Sequence, residues 1–253
     1  MLKDINTHPH DSVISLDEAI HIYTIRQDKS YKSVTTLVKS LFKKFDSDLI
    51  IDKMMRSKHW PNNKYFGKTK EEIKQEWTKN GLESSALGTR LHLNIEYFYN
   101  NILDKTMEFT KEFEMFLEFY NNNRHLIPYR TEWLIFDEDL KMAGSVDMLF
   151  KEEKDGQTYY HIYDWKRSKE IKKHNNYDNC LVKGLDHLPD SNYWHYSLQL
   201  NIYKYILEKN YSIMITDMFL VQIHPNFKTY VKHKVCDLSE EINSLIEYRK
   251  LNT

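Results

Sequence analysis

Residues 142 to 169 read MAGSVDMLFKEEKDGQTYYHIYDWKRSK, two runs rich in β-branched and aromatic residues on either side of Asp155-Gly156. No other feature constrains the fold as strongly, because a two-residue type I′ turn needs positive φ at both central positions and Asp-Gly supplies it readily. If these two residues turn the chain, Lys154 pairs with Gln157; stepping outward, Asp147 lies opposite Asp164 and Ser145 opposite Lys166. Side chains two apart on a strand share a face, so these four residues belong to one face of the hairpin. Val146, Met148 and Phe150 are expected on the other face, against Tyr159, Tyr163 and Trp165. A bulge at Gly144 or a longer loop would shift this register.

Facing carboxylates ~5 Å apart repel by ~3 kcal/mol at an effective dielectric of about 20, so Asp147 and Asp164 need compensation. A divalent cation between them removes the repulsion. Hard cations such as Mg²⁺ or Mn²⁺ take oxygen ligands and keep positions open for water and phosphate. Lys166 beside such an ion can orient or help deprotonate a water and stabilise charge on a phosphate. The plain alternative is a lysine that neutralises Asp164 at the sheet rim.

Around the hairpin the sequence predicts further strands at TEWLIF, DMFLVQIH and KTYVKHKV, a helix from about Tyr193 to Lys209, and a closing helix, LSEEINSLIEYRK. Upstream, Ser33 can cap a helix VTTLVKSLF, and EEIKQEW predicts a short helix beginning near Lys70. Between Met107 and Asn123, Phe109, Phe113, Phe116, Leu117 and Tyr120 recur at helical spacing and are expected in the core. Together these elements predict an α/β fold, a mixed, largely antiparallel central sheet flanked by helices. No linker interrupts it, so one domain spanning 1–253 is expected: residues 1–125 mainly helical, 126–253 forming the sheet core.

Two more clusters of polar residues stand out. In SALGTRLHLNIEYF, Leu87, Leu91, Ile95 and Phe98 form an apolar stripe, while Gly88, His92 and Glu96 form an adjacent one at i, i+4 spacing. Gly88 would permit close approach of a backbone or a phosphate, and His92 could offer an imidazole to a metal. A helical histidine is otherwise an ordinary packed or surface residue. In YWHYSLQLNIYKYIL, Gln199 and Tyr203 lie one turn apart, where an amide and a phenol could hold a phosphate or steady a catalytic side chain. The bland alternative is an amphipathic helix that packs Tyr196, Leu200, Tyr203 and Leu207.

Two cysteines among 253 residues cannot supply the four thiolates of an iron-sulfur cluster, so any metal must sit on oxygen and imidazole. With 36 Lys+Arg against 37 Asp+Glu, positive charge for a nucleic acid must be local. Lys43 and Lys44, the stretch from Lys64 to Lys70, and the run from Lys166 to Lys173 are the candidates, each also readable as a solvated face. No apolar run approaches the ~20 residues of a membrane span, and the start lacks secretory or transit character, so an intracellular protein is expected.

The ordered set of Gly88-x₃-His92-x₃-Glu96, Gly144-x₂-Asp147, Asp164-x-Lys166 and Gln199-x₃-Tyr203 resembles the RecB-type branch of the PD-(D/E)XK nuclease superfamily, known by GxxxHxxxE, GxxD, DxK and QxxxY in that order. YKSVTTLVKSLFKKFD and KYFGKTKEEIKQEW are further similar to the family of the mitochondrial genome maintenance exonuclease and its viral and phage relatives. The resemblance implies a restriction-endonuclease-like core and a phosphodiesterase dependent on Mg²⁺ or Mn²⁺. It makes Asp147 and Asp164 ligands, with the Trp165 carbonyl and His92 joining them, and Lys166 the group that positions the attacking water. Gln199 and Tyr203 would contact substrate or brace the site, with Glu96 orienting the histidine helix or a ligand. Glu132 would be an additional acid, and Ser145, Arg167 and Ser168 contacts to phosphate. The implied activity is a DNA exonuclease acting on single-stranded ends, in replication, repair or recombination, that leaves 5′-phosphates. A flap endonuclease and a catalytically retired binding module are the alternatives, and RNA remains open as a substrate. No P-loop GxxxxGK[ST] is present, so ATP would be hydrolysed only by a separate helicase or other replication or repair partner.

Overall fold

The computed structural model describes residues 1–102 and 109–251. The chain forms two compact units, one of residues 1–43 together with those from Leu91 onward, the other Lys44–Arg90. In chain order the elements are α1 (Leu2–Ile5), β1 (Ile14–Asp17), β2 (Ile22–Ile25), β3 (Lys32–Ser33), α2 (Val34–Ser40), α3 (Ser47–Met55), α4 (Lys70–Tyr99), α5 (Lys111–Asn122), β4 (Ile127–Asp137), β5 (Met142–Lys154), β6 (Gln157–Arg167), α6 (Asn192–Asn210), β7 (Ile215–Ile223), β8 (Val231–Lys234) and α7 (Ser239–Leu251).

Asp155 and Gly156 turn the chain with φ of +53° and +75°, and β5 and β6 pair from Lys154/Gln157 to Met148/Tyr163 in the expected register. The ladder stops there, one step before Asp147 and Asp164. β4 occupies one edge of β5 along its whole length, from Ile127/Lys151 to Asp137/Met142. On the other edge β6 reaches only as far as Met148, and β3 pairs in parallel with Met142 and Ala143. Gly144–Asp147 therefore face a gap between β3 and β6 where no strand is paired. The sheet continues through β7, parallel to β6, and β8, antiparallel to β7. It is a mixed sheet, and α6 is the crossover that returns the chain from β6 to the parallel β7.

Helices cover both faces. On one, α2, α6 and α7 bury Val34, Leu37, Leu200, Ile206, Ile242 and Leu245 against Leu149, Ile162 and Leu220. On the other, Leu91, Ile95 and Tyr99 of α4 and Phe113, Phe116 and Phe119 of α5 pack on Met148, Phe150, Tyr163 and Trp165. The smaller unit has its own core of Ile51, Tyr65 and Ile73, and Trp77 Nε1 donates to the Tyr65 hydroxyl at 2.9 Å.

Several local expectations are corrected. The helix at EEIKQEW does not end after a few residues; it runs 30 residues and carries His92 on the same element. Gly81 and Gly88 each weaken it by about 1 kcal/mol relative to Ala, which its other residues outweigh. The mainly helical first part of the chain also holds the short β1–β2 hairpin and β3. In the helix after the residues not described, among which Met107 falls, Phe109 precedes the first turn and is 76% exposed, whereas Phe119 is fully buried. Leu87 is exposed while Leu91 and Ile95 of the same stripe are buried. Val146 packs with Trp133 and Ile135 rather than with Met148 and Phe150. That change of face coincides with Glu132, which breaks the alternation of β4 with a left-handed φ of +44°. Ser33 does cap α2, its hydroxyl accepting from the Thr36 amide at 3.1 Å. Among the described residues no helix is long and apolar enough to cross a membrane.

Candidate metal and active site

The gap beside Gly144–Asp147 is where charged side chains converge. With no strand partner for its amide, Trp165 donates its N–H to Asp147 Oδ2 at 2.9 Å, so a carboxylate takes the place a backbone carbonyl would hold. His92, from α4, places Nε2 2.8 Å from the Trp165 carbonyl oxygen. Its Nδ1 faces Glu132 Oε1 at 3.3 Å and Asp147 Oδ2 at 3.5 Å. His92, Glu132 and Asp147 each offer one donor atom, all within 4.8 Å of one another. The left-handed backbone of Glu132, unusual for a non-glycine residue, marks this point of β4 as strained. Its other carboxylate oxygen accepts from Ser145 Oγ at 2.9 Å.

Deeper in, Asp164 Oδ2 and Lys166 Nζ form an ion pair of 2.6 Å, both nearly buried. Helix α6 crosses over this pair. Gln199 Nε2 donates to Asp164 Oδ1 at 3.3 Å and lies 3.2 Å from the Tyr203 hydroxyl. One turn earlier the ring of Tyr196 stands 4.6 Å from the Lys166 ammonium. Tyr203 packs so closely on β5 that a Cβ added at Gly144 would fall 2.5 Å from its Cε1 atom. Gly144 is thus required by the contact with Tyr203.

The electrostatics follow from burial and crowding. Burial, and then the charge of Asp147, push the Asp164 carboxyl up to about 6 despite Lys166. Burial likewise raises Asp147, against the opposing pull of His92. Burial would lower His92, but Asp147 and Glu132 outweigh it and raise the imidazole to about 9. Lys166 is held well above the usual range because its two aspartates overcome its desolvation. Three carboxylates thus crowd one lysine and one imidazole.

These donors fit a hard divalent cation: carboxylate oxygens and one imidazole, with no thiolate. The side open to solvent holds His92 and Glu132, at 28% and 31% exposure against 2% for Asp164. A groove of about 920 Å³, lined among others by Thr7, Ser15, Glu96 and Arg130, reaches Glu132, while His92, Asp147 and Asp164 are not among its lining residues. A larger apolar cavity of about 1020 Å³ around Phe98, Phe113 and Tyr120 has neither carboxylate nor histidine among its lining residues.

The structure therefore brings together His92, Glu132, Ser145, Asp147, Asp164, Trp165, Lys166, Gln199 and Tyr203. The remaining candidates have other surroundings. Glu96 is half-buried on the groove, raised by burial and by Glu132; like Asp164, whose oxygens face Lys166 and Gln199, it is outside the group of His92, Glu132 and Asp147. Gly88 lies in the smaller unit, where an added Cβ would meet nothing within 4 Å beyond its chain neighbours and its own helix backbone. Arg167 is committed to Glu112 of α5, Nε to Oε1 at 2.9 Å, and Ser168 Oγ to the Glu170 carbonyl at 2.9 Å. The lysines of the stretch from Lys64 to Lys70 are partly matched by acids of their own unit, Lys68 with Glu76 and Lys70 with Asp52 and Asp48. Sequence reasoning missed Tyr23 of β2, a buried phenol pushed well above its usual range by burial and by the charges of Glu132 and Asp147. Tyr196 is legible from its i, i+3 spacing to Gln199, although the same spacing fits an amphipathic helix that packs it.

No curated protein matches the chain. A solved structure described as the crystal structure of SSO0001 is similar at 15% identity over 89% of this chain and 76% of that one, with a TM-score of 0.36, too loose a likeness to carry an argument. The family model of the PD-(D/E)XK nuclease superfamily, by contrast, matches residues 66–248, a span that contains every residue from His92 to Tyr203 in the acid cluster, and the chain belongs to that superfamily.

Proposed function

We propose that this chain is a deoxyribonuclease dependent on Mg²⁺ or Mn²⁺, an exonuclease that hydrolyses phosphodiester bonds from single-stranded DNA ends in replication, repair or recombination. The observation that carries the reading is the convergence of His92, Glu132 and Asp147 within 4.8 Å of one another beside the buried pair of Asp164 and Lys166. Membership of a nuclease superfamily supports metal-dependent hydrolysis, and the preference for single-stranded ends rests on the resemblance to the RecB-type branch.

Asp147, Asp164, Glu132 and His92 would hold the cation, with the Trp165 carbonyl as a further ligand. When bound, such an ion stabilises the charge that builds on phosphate oxygens during attack by water. The chain's own groups do the remaining work. Lys166, fixed by Asp164, donates hydrogen bonds to the attacking water and to phosphate oxygen. Gln199 holds the Asp164 carboxylate in its rotamer, and Tyr203 braces Gln199 and the backbone at Gly144. Ser145 orients Glu132. Arg167 and Ser168, engaged elsewhere, have no part in this proposal. A helicase or other replication or repair partner would deliver the single strand.

The test uses DNA labelled at one end, single-stranded and duplex, with Mg²⁺ or Mn²⁺, and with EDTA and Asp164→Ala as controls. Metal-dependent laddering from one end, lost in the variant, supports the proposal, and the labelled end gives the polarity. Cleavage confined to internal junctions would replace the exonuclease by a flap endonuclease. Metal-independent DNA binding without any cleavage would leave a binding module. A parallel RNA substrate decides the sugar.

A further inference from the structure

The buried lysine of the site has one neighbour that the acid cluster does not explain. Lys166 Nζ lies 2.6 Å from Asp164 Oδ2 on one side and 4.6 Å from the ring centroid of Tyr196 on the other. An ammonium within about 6 Å of an aromatic face is attracted by the ring quadrupole, most strongly where water is excluded. Lysine is a flexible four-carbon stem with a point charge at its end, so a single carboxylate fixes its distance but not its direction.

Helix α6 supplies the missing constraint. Tyr196, Gln199 and Tyr203 recur at i, i+3 and i+7, on one stripe of the helix. Each meets a different part of the site: Tyr196 the Lys166 ammonium, Gln199 the Asp164 carboxylate, Tyr203 the β5 backbone at Gly144. Tyr196 is half-buried, packed at the edge of the core that α6 forms with the sheet. No hydrogen bond from its hydroxyl is needed for this arrangement.

We propose that Tyr196 is a positioning residue for Lys166, its ring face confining the ammonium to the Asp164 side of the site so that it is aimed at the reacting phosphate. The inference rests on the proposed nuclease reading for its catalytic consequence, but the placement of the lysine stands apart from it.

The experiment compares Tyr196→Phe, which keeps the ring, with Tyr196→Leu, which keeps bulk and removes it. Thermal melts verify that both variants fold. Two readouts are taken on the full chain. The first is the rate at which formaldehyde and borohydride methylate Lys166 in metal-free protein, followed by peptide mass spectrometry with Lys209 as internal reference. The second is kcat and KM on single-stranded DNA with Mn²⁺.

The expected result is methylation of Lys166 several-fold faster in Tyr196→Leu and unchanged in Tyr196→Phe. With it, kcat should fall roughly tenfold in the leucine variant with KM held, the factor that about 1.4 kcal/mol of lost stabilisation gives. Equal methylation in all three proteins overturns the proposal, and so does a phenylalanine variant as impaired as leucine, since the hydroxyl would then be the active group. If the wild type cleaves nothing, the nuclease reading fails and the methylation rates alone decide the positioning.

Discussion

His92 Nε2 lies 2.8 Å from the carbonyl oxygen of Trp165 while Nδ1 of the same ring faces Glu132 and Asp147, so one imidazole joins α4 to three acceptor oxygens of the sheet. Both nitrogens are spoken for, which fixes the ring. Replacing it with alanine should slow metal-dependent cleavage by roughly 10- to 100-fold and weaken Mn²⁺ binding to a similar degree. Calorimetric titration of Mn²⁺ into the variant checks this; an unaltered isotherm would place the ion elsewhere.

Asp147→Asn should separate stability from metal binding. The substitution removes one of three crowded carboxylates but keeps an oxygen to accept the Trp165 amide. Without metal the variant should melt no lower than the wild type. Millimolar Mn²⁺ should raise the melting temperature of the wild type, by mass action on the folded state, and leave the variant unmoved.

Lys166→Ala should reduce kcat by at least about a hundredfold, the usual worth of one preorganised hydrogen-bond donor aimed at developing charge. Its affinity for single-stranded DNA, read by fluorescence anisotropy in EDTA, should change less than about threefold, because one buried ammonium contributes little to the counterion release that dominates such binding. A large loss of affinity would make the lysine a binding group.

Gly144→Ala tests the contact with Tyr203. The new methyl has no room beside a ring that is itself buried, so urea melts should show a loss of about 1–3 kcal/mol. Adding Tyr203→Leu should return part of that loss. If the two losses simply add, the contact is not what demands glycine.

The pair of Asp11 and Arg130 should set an acid limit on stability. Burial raises the Asp11 carboxyl, but hydrogen bonds from Arg130, the His8 amide and Trp133 outweigh it and hold the group below its ordinary value. A carboxyl lowered in the folded state stabilises above its unfolded pKa, about 3.9, and the stabilisation fades as pH falls through the folded value. Asp11→Ala should therefore cost about 2 kcal/mol at pH 7, partly by stranding the nearly buried Arg130, and its deficit against wild type should shrink towards pH 2. A deficit independent of pH would assign the effect to packing.

What was legible followed from strong local rules. Asp-Gly forces a turn, and the turn fixes the register that brings Asp147 towards Asp164. The spacing of Gln199 and Tyr203 put them on one face of a helix because helical period allows little else. Glu132 was harder to weigh: within TEWLIF it alternates like any solvent-facing residue, and only the left-handed backbone swings its carboxylate to His92. The β1–β2 hairpin, and Tyr23 with it, is not legible because four-residue strands leave too short an alternation. That β3, more than a hundred residues earlier, takes part of the same edge of β5 is encoded by no local pattern.

The Trp165 amide has a further use. Its proton is held by a side chain, whereas its neighbours in β6 are held by the ladder, so hydrogen–deuterium exchange reads two separate clocks along one strand. Slow exchange at Tyr163 with fast exchange at Trp165 would report that the Asp147 carboxylate has swung away while the sheet stays closed. Loss of protection at both would report that the strand itself has opened. One strand thus carries a built-in gauge that distinguishes a disarmed site from an unfolding protein.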